Sequence, residues 1–313
     1  MKTISRRTFG SIAATALTAQ MTRSLWARET THDRKLRIAL IADTHITDSF
    51  YVKGSENGIE DNESILHTAE RLTTARDLIN SLTPAVDRVF ILGDYFHNYP
   101  STDYDFYFKN TTRLDNAKAI TDGFKMPVHL GFGNHDYAVK TVSREMSHRL
   151  FKAKFNAEPY SVLDLEGVRF LHVNNFLGST QDKTAPDFNP GTGSLGETQL
   201  QWLEAQLAAR KPTYVFLHYP LIAVAPTEIK DFGLHPLLRK YKDSIRLVVT
   251  GHVHKWIDYA HTYGPQHYIM ASTRYDASAE MFLEIDPRDG SYRWLNESLV
   301  DWSTHFAKPY RQG

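Results

Sequence analysis

Residues 36–45 read Leu-Arg-Ile-Ala-Leu-Ile-Ala-Asp-Thr-His, a short apolar run that stops at a carboxylate and an imidazole. An apolar, β-branched run of this length predicts a buried strand. In extended chain the side chains at i and i+2 point to the same side, so Asp43 and His45 are expected to face a common point above the sheet edge. Residues 86–92, 127–130, 168–173, 213–217 and 245–250 repeat the apolar pattern. Between several of them the spacing is helical. Residues 62–82 place Ile65, Ala69, Leu72, Ala75 and Ile79 at three- and four-residue steps, and Leu200, Leu203 and Leu207 do the same after Gly196. Strands alternating with helices predict an α/β layered fold. From Trp256 onward the strand-like runs crowd together, at 267–271 and 280–285, with Pro287, Asp289 and Gly290 as turn residues. These predict antiparallel strands closing a second sheet. The longest irregular stretches, 47–61, 95–111 and 174–194, are expected to be functional walls or lids.

Each apolar run delivers polar residues at its end. After the second comes Gly93-Asp94, where the glycine permits a tight turn or close backbone approach before a carboxylate. After the third comes Gly131-Phe132-Gly133-Asn134-His135-Asp136, offering an amide oxygen, an imidazole and a carboxylate in succession. The fifth run reaches His218, and the sixth ends in Gly251-His252-Val253-His254. Any one piece is common by chance; five blocks in order, behind separate strands, are a strong signal. The 313 residues include fifteen histidines and no cysteine, which excludes thiolate metal sites and cysteine nucleophiles. Oxygen and imidazole donors suit manganese, iron or zinc rather than a pure calcium cage. Two such ions about 3.5 to 4 Å apart lower the pKa of a shared water, so that hydroxide can attack phosphorus in line. His135, beside a donor in sequence and titrating near neutrality, is the candidate proton donor to the leaving group.

In these ordered motifs, from about Lys35 to His254, the sequence resembles the calcineurin-like metallophosphoesterase family, and more loosely so to the C-terminus. The resemblance implies a four-layer αββα sandwich of two mixed β-sheets flanked by helices. It also implies a dinuclear centre of two transition-metal ions (manganese, iron or zinc), with Asp43, His45 and His254 on one metal and Asn134, His218 and His252 on the other. Asp94 would bridge them. His135 would stay off the metals and face the substrate phosphate, with Asp136 orienting its imidazole. Three residues after the bridging aspartate this chain departs from the family: where purple acid phosphatases have a metal-binding tyrosine, it has His97, followed by Asn98. His97 is then an extra ligand, a hydrogen-bond donor behind one, or a loop histidine in solvent, and Asn98 is a further candidate for a supporting place behind the ligands. Without that tyrosine the reading leans from monoesters towards phosphodiesters, cyclic nucleotides included. A catalytically inactive metal-binding protein of the same fold and a nuclease are the competing readings.

The first residues read as a leader. Residues 1–27 hold Lys2, Arg6, Arg7, Arg23 and no carboxylate, with a mildly apolar stretch at 10–21. Ser5-Arg6-Arg7-Thr8-Phe9 resembles a twin-arginine export signal, so export through that translocation machinery, to the periplasm, is expected. The apolar run is far shorter than the ~20 residues that span a bilayer. Without these four basic residues an even balance of 36 and 36 charged groups becomes a net −4. A small phosphate ester is the expected substrate, and no stable nucleic-acid or membrane partner is expected. Residues 35–300 read as one catalytic domain and 301–313 as a C-terminal tail.

Other signals are set aside. Residues 191–196 match GxGxxG, but Asp187-Phe188-Asn189-Pro190 precedes them instead of a strand, so no dinucleotide cofactor is expected. Ser194 and Glu197 are instead spaced as a capping box for the following helix. His129 and His172 lie within strand-like runs and read as core residues. The aromatic run Tyr95, Phe96, Tyr99, Tyr104, Phe106, Tyr107 and Phe108 is either a stacking wall or the packing of a long loop. Lys255 and Arg274 read as solvated charges.

Overall fold

The strand expected at the start of the chain forms as β1 (Leu36–Ile41), and a computed structural model describes residues 34–137 and 142–311 around it. In chain order there follow α1 (Ile59–Leu66), α2 (Thr68–Ser81), β2 (Arg88–Ile91), α3 (Phe106–Lys109), α4 (Arg113–Thr121), β3 (Val128–Leu130) and α5 (Arg144–Phe155). Next come β4 (Ser161–Leu165), β5 (Val168–His172), α6 (Glu197–Ala208), β6 (Thr213–Phe216), α7 (Leu234–Lys240) and β7 (Ile245–Thr250). The chain closes with β8 (Ile257–Ala260), β9 (His267–Ile269), β10 (Met281–Ile285) and β11 (Tyr292–Trp294).

Two mixed sheets result. One runs β11-β10-β1-β2-β3, the other β4-β5-β6-β7-β9-β8. Strands β1, β2 and β3 are parallel, as are β5, β6, β7 and β9. Alternation along these strands supplies both faces of each sheet. Leu36, Ile38, Leu40 and Phe90 from the first sheet pack against Phe170, Tyr214, Phe216, Leu247 and Val249 from the second. The residues between them, among them Ala39, Ile41, Val89 and Ile91, share a core with Leu72 and Ile79 of α2 and Leu114 of α4. Leu171, Val215 and Val248 share it with Leu200, Leu203 and Leu207 of α6. Helices therefore cover the outer faces of two stacked sheets, which is the expected αββα sandwich.

The structure corrects several expectations. The C-terminal strands do not all close the second sheet. β8 and β9 join it, but β10 runs antiparallel to β1, with Leu40 opposite Met281, and carries β11 with it. β10 thereby covers an apolar strand that would otherwise be an exposed sheet edge. The helix expected at 62–82 is two helices, broken at His67 (φ −107°, ψ 7°). The capping box is absent. Gly196 occupies the N-cap of α6, Ser194 Oγ bonds Thr180 Oγ1, and the Glu228 carboxylate accepts the N–H groups of Leu195 and Gly196 at 2.8 and 2.7 Å. Residues 301–310, read as a tail, pack on the domain, with Val300 bridging Ala307 and Tyr310 against Phe282. Among the described residues no helix is long and apolar enough to cross a membrane. The leader reading lies outside the described residues.

Candidate metal centre

The five donor blocks follow the C-terminal ends of β1, β2, β3, β6 and β7. To bring short polar side chains back over the sheet rim, the chain must turn sharply at each end. Asp43, His45, Asp94, His252 and His254 accordingly have φ between 47° and 72°, as does Asn98. Non-glycine residues avoid this left-handed region, at a cost of about 1 to 3 kcal/mol each, and such outliers concentrate at functional sites.

Crossed backbone contacts hold the turns. Asp43 N–H donates to the Gly93 carbonyl at 3.2 Å and His45 N–H to the Asp94 carbonyl at 2.9 Å. His135 N–H donates to Asp94 Oδ1 at 2.8 Å, and His252 N–H reaches both Asp43 oxygens at 3.0–3.1 Å. Glycine is needed where the loops cross: a Cβ on Gly133 would lie 2.1 Å from Asp94 Oδ1, and one on Gly93 2.6 Å from Gly133 N.

Three overlapping groups of donors emerge, one of them all imidazole, His45, His97 and His135, and two built around a carboxylate. Asp43, His45, Asp94 and His254 place one donor atom each within 4.8 Å of one another, and Asp94, His218 and His252 do the same. Asp94 belongs to both. Asn134 Oδ1 joins the second group, 3.1 Å from His218 Nε2. His218 Nδ1 lies 3.2 Å from the Leu92 carbonyl, so that nitrogen carries the proton and Nε2 faces Asp94 Oδ2 at 3.2 Å.

The residues present fit a pair of cations. Asp43 and Asp94 are 0 and 1% exposed, and their ion-pair partners are histidines. Buried carboxylates are costly unless paired or coordinating metal. Burial opposes charge on His218, yet Asp94 and Asp43 hold its pKa up at about 9. Burial pushes His252 down to about 4 and keeps His45 well below the usual range, leaving these rings neutral, as ligands must be. The Nε2 atoms of His45 and His254 also face each other at 3.1 Å, an arrangement suited to a shared electrophile.

His135 stands outside the two carboxylate-centred groups. Its Nδ1 is 3.0 Å from Asn98 Oδ1, and burial pushes its pKa down to about 4. Asp136 does not orient this ring. Its carboxylate is spent on three backbone N–H groups, those of Tyr95 (2.9 Å), Phe96 (3.2 Å) and Gly133 (2.8 Å), and so ties the β2 loop to the β3 loop. Asn98 holds the imidazole instead. His97 is 5% exposed, which removes the solvent-loop reading. Arg274 is no solvated charge either: it is 4% exposed and bonds Glu56 Oε2 at 2.8 Å and Ser64 Oγ at 2.9 Å. Glu56, which no motif marks, sits against His97 at 3.2 Å. Lys255 is exposed. The aromatic run is mostly packing, with Tyr95, Phe96, Tyr99 and Tyr107 buried and only Phe108 largely exposed among them. His129 stacks on Phe90 at 4.8 Å, and neither it nor His172 joins the donor groups.

Comparison with known proteins bears on this site. Residues 36–256, which contain all the donors, match the family described as calcineurin-like phosphoesterase. Mouse and human tartrate-resistant acid phosphatase type 5 are both 27% identical to the chain, over 211 and 206 residues. Each match takes in 60% of this chain, and 61% and 62% of the relatives, so the chain spans about three fifths of their length. A dimetal phosphatase from Danio rerio superposes with a TM-score of 0.56 at 18% identity, covering 80% of this chain and 92% of its own. A purple acid phosphatase from yellow lupin (Lupinus luteus) seeds gives 0.50 at 14% identity, covering 86% and 53%. At these identities the structural likeness speaks for the fold.

Proposed function

Because the chain belongs to the calcineurin-like phosphoesterase family, we propose that it hydrolyses phosphate esters at two metal ions. Asp43, His45 and His254 would hold one, Asn134, His218 and His252 the other, and Asp94 would bridge them. The observation that carries this reading is the convergence of these donors, from five strand ends, on one shared carboxylate. When bound, the ions supply Lewis acidity and an activated water at neutral pH.

The chain's own residues do the rest. Asn98 Oδ1 accepts the proton on His135 Nδ1, so the neutral ring presents a bare Nε2 to the site. His135 gives a proton from Nε2 only as the imidazolium, a state that burial opposes and negative phosphoryl oxygens favour. Asp136, by clamping the β2 and β3 loops together, fixes the distance between Asp94 and His135. Diesters are the favoured class, since His97 stands where a tyrosinate ligand would. The test is turnover of matched mono- and diesters by protein reconstituted with manganese, iron or zinc. Full activity after complete metal removal would sink the mechanism, and turnover of monoesters alone would overturn the diester clause.

Export through the twin-arginine route to the periplasm is part of the same proposal, resting on Arg6 and Arg7 in a basic leader. Replacing both by lysine is expected to strand the protein in the cytoplasm. Unchanged export of the double variant, followed by cell fractionation, would refute the signal.

A further inference from the structure

Behind the metal donor His45 runs a line of polar groups with no gap. His45 Nδ1 lies 3.2 Å from His97 Nδ1, and His97 Nε2 lies 3.2 Å from Glu56 Oε1. Glu56 is itself fixed. Arg274 holds its Oε2 at 2.8 Å, the Tyr51 hydroxyl donates to Oε1 at 3.1 Å, and its backbone N–H donates to Asn62 Oδ1 at 3.1 Å. The His97 and Arg274 contacts outweigh burial and hold the Glu56 pKa down at about 2, so this group is an ionised carboxylate that can only accept.

Proton positions then follow one from another. A carboxylate facing His97 Nε2 requires the proton there. In a neutral ring that leaves a lone pair on His97 Nδ1, which must accept from His45 Nδ1–H. With its proton on Nδ1, His45 as a ligand carries its lone pair on Nε2, the atom that faces His254 Nε2 at 3.1 Å and Asp94 Oδ2 at 3.6 Å. We infer that Glu56 and His97 are positioning residues that lock the His45 tautomer, so that Nε2 is the atom offered to a metal. This extends the familiar carboxylate–histidine–metal arrangement by one imidazole. The inference rests on the two-metal reading above. It also decides what His97 does: its Nδ1 is engaged by His45, so it supports a ligand and is not one.

The test uses zinc as the probe. The full chain is stripped and reloaded, zinc per chain and zinc affinity are measured by chelator competition, and imidazole nitrogens are assigned by long-range nitrogen–proton NMR in the zinc-loaded protein. The wild type is expected to take two zinc ions and to show His97 protonated at Nε2 and bare at Nδ1. Glu56→Gln is the informative variant. Arg274 will claim the amide oxygen, which turns the amide NH2 towards His97 and reverses the line, placing a proton on His45 Nε2. One of the two zinc sites should weaken roughly 10- to 100-fold while the other is kept. His97→Phe preserves a ring stacked on His135, now 4.5 Å away, but removes the acceptor, and should weaken the same site. If either variant fails to fold, the other and the wild-type spectrum still decide. Unchanged zinc affinity in Glu56→Gln, a doubly protonated His97, or a metal-bound His97 nitrogen would overturn the inference. A wild type that takes up no zinc would remove the two-metal reading itself, and the inference with it.

Discussion

Asp94 presents one carboxylate oxygen to the His135 N–H and turns the other towards His218 and His45, so its removal disturbs three histidines at once. Asp94→Ala is expected to drop metal content from two ions per chain towards none and the rate on the order of 1,000-fold or more, because no other carboxylate belongs to more than one donor group. Elemental analysis alongside kinetics checks this; retention of both ions would remove the bridging role. His135→Ala separates a different function. It should keep both ions yet lose roughly 100- to 10,000-fold on alkyl esters, the range for a positioned acid, and much less on nitrophenyl esters, whose leaving group needs little protonation. Equal loss across leaving groups of graded pKa would assign His135 to phosphate binding instead. Sequence reasoning reached these residues because donors at i and i+2 after an apolar run form a local pattern. It could not reach Glu56, or see that Asn98 rather than Asp136 holds His135, because those contacts join loops that no spacing rule connects.

At the scale of elements, the parallel strands were legible as continuous apolar runs, since both faces of each are buried. β4, with its alternating Ser161–Leu165 stretch, and helices α4 and α5 were not among the expected elements. For α5 a local signal existed, as Ser143 Oγ accepts the Met146 N–H at the helix start. Assignment of β10 to the first sheet was beyond reach for a physical reason: an apolar strand does not say which sheet edge it will cover. Within β5, His172 reveals a cost. Neither of its ring nitrogens has a hydrogen-bond partner among the described residues, and burial pushes its pKa down to about 3. The unfolded chain takes up a proton near pH 6.5 that the folded protein refuses, so stability is whole above that pH and is lost as pH falls towards 3. His172→Leu should remove the loss. Its advantage over wild type in urea denaturation should widen by roughly 2 kcal/mol between pH 7 and pH 5. A pH-independent difference would mean that His172 does not resist protonation in the fold.

Across the whole molecule, both sheets send their strand ends to one rim, and residues 303–305 return there to brace the loop carrying His252 and His254. Trp256 N–H donates to the Thr304 carbonyl at 3.0 Å and Ser303 N–H returns the bond to the Trp256 carbonyl at 2.8 Å. His305 Nδ1 donates to the His254 carbonyl at 2.8 Å, while its ring stacks on Tyr275 at 4.4 Å. These contacts act on a residue already held in the left-handed region, His254 at φ 62°, so they help keep a strained donor in place. Removing the segment after Val300 should therefore do more than trim an end. With the Lys308 N–H to the Leu299 carbonyl and the Ala307 N–H to the Asp276 carboxylate, five hydrogen bonds tie the segment to the domain. At about 1 kcal/mol each, in a domain of this size where 1 kcal/mol moves Tm by about 2 to 4 °C, they imply a fall of roughly 10 to 20 °C. Loss of Trp302 and Ala307, which pack against the core between the sheets, adds to that. The milder His305→Ala separates bracing from general stability. It deletes one donor to the His254 carbonyl and one ring, and should lower Tm by only a few degrees. If the segment positions His254, this variant should also weaken the zinc site containing Asp43, His45 and His254 while sparing the site containing Asn134, His218 and His252. A loss of Tm with both zinc affinities intact would make the segment a structural cover and nothing more.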